Sequence, residues 1–177
     1  MSKAVILSIR PKWVEKIASG EKTIEVRKTR PKMNTPFKCY IYCTLPKYPH
    51  EDFIATDYPR PQFYGGGKVI GEFTCDRIYE LAPLNHAPDD VEKQACLTRE
   101  EIVNYLKGTG YGWHISDLLI YDRPRELTAF WRACPNSWYC ESCAMYWKNN
   151  GTCGKESLYI KRPPQSWCYV EAMKDGC

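Results

Sequence analysis

The first apolar stretch, Ala4-Val5-Ile6-Leu7-Ser8-Ile9, is compact and largely β-branched, and Arg10-Pro11 closes it. That pattern predicts a buried strand. Pro11 suits the first turn of a helix. Behind it Trp13, Val14, Ile17 and Ala18 recur at helical spacing, with Lys12, Glu15 and Lys16 on the opposite face. Gly20 is a natural residue just past the end of that helix. From Lys22 the period changes to two. Ile24 and Val26 point one way and Thr23, Glu25 and Arg27 the other, which predicts a strand with one face in the core and one face presenting its charges.

Further along, Cys39-Tyr40-Ile41-Tyr42-Cys43 predicts another strand. Residues 45–66 carry Pro46, Pro49, Pro59 and Pro61 and run into Gly65-Gly66-Gly67, a surface excursion with no periodicity of its own. Residues 68–81 predict one long strand, with Gly71 as the place for a bulge. Thr98-Arg99-Glu100-Glu101 is a capping box that opens an amphipathic helix through Ile102, Val103, Tyr105 and Leu106. Residues 111–121 predict a third long strand, with Ser116-Asp117 as a point of interruption, and residues 126–131 a short helix. Trp167-Cys168-Tyr169-Val170 closes the chain as a strand. About six strands stand against two firm helices, without strand–helix alternation. The expected fold class is α+β: a small, mostly antiparallel sheet curled into a barrel, with two to three flanking helices.

Composition refines this picture. The 177 residues are 44% hydrophobic and 26% charged, which fits one soluble globular domain spanning residues 1–177. The net charge is only +4, but residues 1–32 hold nine basic residues against three acidic ones. A basic front end attracts phosphates and nucleic acid. The plainer alternative is a solvated face that keeps the protein soluble. The apolar run at residues 4–9 is too short for a signal peptide, and no stretch is long enough to span a bilayer, so a cytoplasmic location without membrane contact is expected. Thiols there stay reduced, so the ten cysteines call for a metal, a catalytic role or burial.

Four of them fall close together as Cys134-x5-Cys140-x2-Cys143-x9-Cys153, among Pro135, Asn136, Asn149, Asn150, Gly151 and Gly154. Thiolates at this spacing on turns match a small tetrahedral zinc site. Residues 132–156 are thus expected as a zinc knob inserted before the last strand, structural because four thiolates leave no open coordination position. An iron–sulfur cluster and free or redox cysteines are the alternatives. Cys39, Cys43, Cys75 and Cys168 lie in predicted strands and read as small buried hydrophobes.

Gly20-Glu21-Lys22-Thr23-Ile24-Glu25-Val26-Arg27 carries the densest chemistry. Arg27 offers a planar fork for phosphate or a base edge, Lys22 a point charge, and Glu25 an acceptor for an exocyclic amine. A surface Lys–Glu–Arg ladder of little energetic value is the alternative. Strand, helix and then Gly-x-Lys-x-x-Glu-x-Arg resembles the ASCH family, a branch of the PUA-like barrels, whose signature Gly20, Lys22, Glu25 and Arg27 match at each fixed position. The resemblance is strongest over residues 4–43. Arg162-Pro163-Pro164-Gln165-Ser166-Trp167-Cys168-Tyr169-Val170 also looks like ASCH-containing proteins of bacterial and prophage genomes.

The resemblance implies an RNA- or nucleotide-binding module whose signature residues line a cleft. It also implies that some relatives are enzymes, either linked to RNA cleavage or hydrolysing the modified nucleoside N4-acetylcytidine with a lysine, a threonine and a glutamate. Here Lys22 keeps the lysine, but Glu25 stands at the threonine's place, and Thr23 lies two residues away, about 6 to 7 Å along a strand. That departure favours binding over this hydrolysis. The expected ligand-binding set is Lys22, Thr23, Glu25, Arg27, Tyr111, Trp113 and His114. Tyr111 and Trp113 would stack on a base, and Lys22, Glu25 and His114 are the catalytic candidates if the protein is an enzyme. Core packing for the two aromatics and a sheet hydrogen bond for the histidine are the plainer readings.

Overall fold

The computed structural model describes residues 3–45, 53–54, 63–81, 87–134, 143–148 and 155–173. In chain order its strands and helices are β1 (Lys3–Ile9), α1 (Pro11–Ala18), β2 (Ile24–Arg27), β3 (Phe37–Cys43), β4 (Phe53–Ile54), β5 (Phe63–Tyr64), β6 (Val69–Cys75), β7 (Ile78–Glu80), α2 (Val91–Ala95), α3 (Arg99–Leu106), β8 (Tyr111–His114), β9 (Ser116–Arg125), α4 (Ala144–Lys148) and β10 (Trp167–Glu171). β1 is an interior strand of the large sheet. Every residue of it after Lys3 is buried, which is why its sequence is a continuous apolar run rather than an alternating one. It pairs antiparallel with β10 and parallel with β3, and the large sheet runs β10-β1-β3-β6-β9. A second sheet has the order β2-β8-β7, and β4 pairs with β5. Apart from β1 with β3, the strand pairings are antiparallel.

The α+β class and the antiparallel bias are as expected, but among the described residues the strands do not close into a barrel. The edges of the large sheet are β9 and β10, which do not pair. The cause is a switch of sheet inside each long predicted strand. Residues 68–81 break at Asp76-Arg77, so that β6 lies in the large sheet and β7 in the small one. Residues 111–121 break at Ile115, between β8 and β9, and Asp117 at the start of β9 takes a left-handed φ of 47°. The irregularity expected at Gly71 is present. The β6–β9 ladder shifts register beside it, and a Cβ there would fall 2.5 Å from the Leu119 carbonyl oxygen.

The two sheets sandwich the main core. Leu7, Ile41, Ile70 and Phe73 from the large sheet meet Trp113, Ile115 and the Val14 and Ile17 face of α1. The opposite face of the large sheet is covered by Leu127, Phe130 and Ile160, packed on Ile6, Tyr40 and Val170. Helices α2 and α3 cover the small sheet through Val91, Ala95, Ile102 and Leu106 on Ile24 and Val26. The capping box forms as predicted: the Glu101 N–H donates to Thr98 Oγ1 at 3.2 Å, and the Thr98 N–H to Glu101 Oε2 at 2.8 Å. The short helix expected at residues 126–131 is a single 3-10 turn, Leu127–Ala129. Helix α2 has no sequence counterpart, because five residues are too few to show a period.

Candidate functional site

A glycine turn builds the site. Gly20 takes φ +78°, the Lys22 N–H donates to the Lys16 carbonyl at 2.8 Å, and the chain re-enters as β2 with all four residues buried. The charged face of this strand therefore does not lie on the surface, and the ladder reading fails. Lys22 is 2% exposed, and Glu25 and Arg27 are 6% exposed each. The alternation is kept, but α1 and the segment before β10 cover the polar face too.

The three side chains form one buried array. Lys22 Nζ donates to the Ala95 carbonyl at 2.6 Å and lies 3.5 Å from Glu25 Oε2. Arg27 Nη2 lies 3.1 Å from Glu25 Oε1 and donates to the Ser8 carbonyl at 2.8 Å. Arg27 Nη1 reaches the Ser166 carbonyl and hydroxyl at 3.4 and 3.3 Å. Ser8 in turn donates its hydroxyl to the Pro164 carbonyl at 2.6 Å. Arg27 thus ties β2, the end of β1 and the chain entering β10 into one wall. Two polar atoms are incompletely satisfied: Arg27 Nε is buried without a hydrogen bond, and Glu25 Oε2 has only the long ion pair with Lys22. Buried groups in that condition are rare and call for an explanation.

All three residues line a cleft of about 490 Å³. Its other walls include Arg10, Lys12 and Trp13 at the start of α1, Tyr105 on α3, and Pro163, Pro164 and Gln165. The Lys12 ammonium sits 4.3 Å from the Trp13 ring centroid and that of Lys22 5.1 Å, so the indole face is flanked by two cations. By their spacing alone, Trp13 and Tyr105 read only as the apolar faces of their helices. The signal for Trp13 is its place directly after Arg10-Pro11-Lys12, at a strand-to-helix turn.

Burial pushes the Lys22 ammonium below its ordinary pKa of 10.5, against the opposing pull of Glu25. The folded chain therefore releases this proton more readily than the unfolded chain. Below the folded value the cost of burying the charge is fully present. As pH rises from there toward 10.5, the unfolded state holds more protons and the folded state gains stability. Lys22→Met is expected to abolish this alkaline gain, which denaturant unfolding at stepped pH measures.

The remaining candidates lie elsewhere. Thr23 Oγ1 bonds Gln94 Oε1 at 3.3 Å and does not line the cleft. β8 pairs with β2, setting Trp113 opposite Glu25 and Tyr111 opposite Arg27, yet neither aromatic enters the cleft. Trp113 is fully buried, edge-on to Phe37 with ring centroids 5.8 Å apart. Tyr111 lines a neighbouring groove. His114 Nδ1 lies 2.6 Å from Asp76 Oδ1, away from the cleft. Desolvation would raise the Asp76 carboxyl, but the hydrogen bond and charge of His114 outweigh it and hold it below its ordinary value. Cys39, Cys43 and Cys75 are buried as expected, whereas Cys168 is half-buried. Of the four clustered cysteines, Cys134 is half-buried and Cys143 exposed, while Cys140 and Cys153 lie outside the described residues. No metal-holding group of His, Cys, Asp or Glu occurs among the described residues, and no helix among them is long and apolar enough to cross a membrane.

Comparison with known proteins places this cleft in a family context. Residues 7–44 match the ASCH domain model, a span that runs from β1 through the Gly20–Arg27 stretch to the end of β3. No curated protein matches the chain in sequence. The fold is similar to that of ASCH from Zymomonas mobilis, at a TM-score of 0.57 and 18% identity, covering 95% of this chain and 87% of that one. A mutant of the same Zymomonas mobilis protein gives a TM-score of 0.57 and 18% identity over 96% of this chain and 91% of its own. The signature stretch Gly20–Arg27 thus lies inside the segment that matches the ASCH domain model, in a fold similar along most of its length to that of an ASCH protein.

Proposed function

We propose that the protein binds RNA or a modified nucleotide in the cleft lined by Lys22, Glu25 and Arg27. One observation carries this reading: in residues that line the cleft, Arg27 Nε is a buried donor without a hydrogen bond, and Glu25 Oε2 has only the 3.5 Å approach of the Lys22 ammonium. A base edge offers a donor and an acceptor side by side, and satisfying both atoms at once would offset their desolvation. Trp13 supplies an aromatic face for stacking, and Arg10 and Lys12 at the rim suit a phosphate. The match of residues 7–44 to the ASCH domain, a domain that is generally RNA-binding, points the same way.

Arg27→Lys tests the proposal. It keeps a cation beside Glu25 and removes the Nε donor and the planar fork. Affinity for nucleotides and short RNA is expected to fall about tenfold or more, with binding in the wild type weakening steeply as salt rises. Unchanged affinity in a folded variant would refute the cleft as the binding site.

A hydrolytic or ribonucleolytic reading of the same cleft has one supporting observation, the lowered pKa of buried Lys22 beside a carboxylate. Turnover of RNA or of N4-acetylcytidine that is lost in Lys22→Ala would establish it. Thr23 gives that chemistry no help, since its hydroxyl is held by Gln94 outside the cleft. The proposal keeps a structural zinc ion on Cys134, Cys140, Cys143 and Cys153. Its support is α4, a five-residue helix that follows Cys143 and buries no residue, and so needs bracing from outside itself. About one zinc per chain in protein purified without added metal is the expected result.

A further inference from the structure

A second groove, of about 610 Å³, opens beside the cleft, and the Lys22–Glu25–Arg27 reading does not use it. Its walls are the loop that follows β2 together with Thr109 and Tyr111. The lining holds three exposed cations, Lys28, Arg30 and Lys32, and no carboxylate. The loop is pinned in place. The Trp167 indole N–H donates to Thr29 Oγ1 at 3.0 Å, the Lys32 N–H donates to the Tyr169 hydroxyl at 2.7 Å, and Pro31 is buried. Three like charges are thus held together on a fixed backbone, which a polyanion relieves.

Two members of this array each lie against an aromatic ring. The Arg30 guanidinium lies 5.6 Å from the Tyr111 ring centroid. The Lys28 ammonium lies 5.3 Å from that of Tyr105, and Tyr105 lines the cleft. The Lys28–Tyr105 contact is therefore where the two depressions meet. From Lys12 and Trp13 at one end, through Tyr105 and Lys28, to Arg30 and Tyr111 at the other, three cation–aromatic pairs follow one another. This is the chemistry that tracks a single-stranded backbone while bases stack on ring faces. A duplex keeps its bases stacked internally and leaves such rings unused.

We infer that the groove extends the cleft into a site for single-stranded RNA, so that the natural substrate class is an oligonucleotide and not a free nucleoside or mononucleotide. The inference rests on the cleft reading above. The chain holds one nucleotide against Glu25 and Arg27 and carries the neighbouring phosphates over Lys28, Arg30 and Lys32.

The test compares uridine monophosphate with an oligouridylate of about ten nucleotides, inside the usual site size of such grooves. The wild type is expected to bind the oligomer far more tightly. Combined Lys28→Ala, Arg30→Ala and Lys32→Ala is expected to lower oligomer affinity tenfold or more at low salt. It should also flatten the log–log salt dependence by about 2, while changing mononucleotide affinity little. Arg27→Lys should weaken both ligands. An oligomer bound no more tightly than the mononucleotide, or an unchanged salt slope in the triple variant, overturns the groove and leaves the cleft standing. A flattened slope with Arg27→Lys unaffected overturns the cleft instead. Tighter binding of a duplex than of the single strand contradicts the inference. The three side chains are exposed, and a matching unfolding curve for the triple variant confirms that its fold is intact.

Discussion

Glu25→Ala is expected to destabilise the fold by about 3–5 kcal/mol. Lys22 and Arg27 are both buried, and Glu25 is the carboxylate that faces them, at 3.5 and 3.1 Å. Truncating it leaves two cations in a region shielded from water, with their Coulombic compensation gone and their mutual repulsion unscreened. Urea unfolding should show a lower midpoint at an unchanged slope. Glu25→Gln, which keeps the shape and an acceptor for Arg27, should lose less. The exposed pair Lys16–Glu21, at 2.8 Å, is the control: removing Glu21 should leave the midpoint where it was. A small effect at Glu25 would mean that water reaches the array freely, contrary to its burial.

Trp113→Ala should cost about 3–5 kcal/mol by a different route. The indole is fully buried, with Phe37 at 5.8 Å on one side and Trp167 at 6.0 Å on another, so truncation opens a cavity between the two sheets. The indole N–H has no hydrogen-bond partner. Trp113→Phe removes that orphaned donor along with part of the ring, and it is expected to cost much less than alanine. Thermal unfolding of both variants measures the difference. Because Trp113 has no face on the cleft, the phenylalanine variant should bind nucleotide as the wild type does.

These two residues mark the limits of what the sequence could tell. The turn at Gly20, the change of period at Lys22 and the charges on one strand face are local, and each was legible in eight residues. The burial of that face was not. It depends on the carbonyls of Ala95 and Ser8 and on Ser166, which the fold brings to Lys22 and Arg27 from far along the chain. A charged strand face in water and one roofed over by a distant segment have the same alternation. Trp113 was ambiguous for the same reason. A tryptophan between Gly112 and His114 reads equally as a stacking platform or as core, and only the packing of β8 between β2 and β7 decides. The barrel expectation failed because the polar residues at the breaks, Asp76-Arg77 and Ser116-Asp117, mark an interruption without showing that the chain changes sheet there. Hydrophobic pattern records that a segment is buried and not which sheet buries it.

The capping box was legible to the residue, since both hydrogen bonds close within four positions. The contribution of α3 to the cleft was not, because Tyr105 sits on a face that periodicity assigns to packing. Sequence separation, more than chemistry, sets what could be read.

The most direct test of the central claim is an NMR titration that follows the Arg27 Nε–H and Trp13 indole N–H resonances as short RNA is added. The account predicts that both move in step with binding, the Arg27 signal because its unpartnered donor gains an acceptor and the Trp13 signal because a base covers its ring. Binding that leaves both resonances in place while perturbing the far edge of the large sheet at β9 would contradict it.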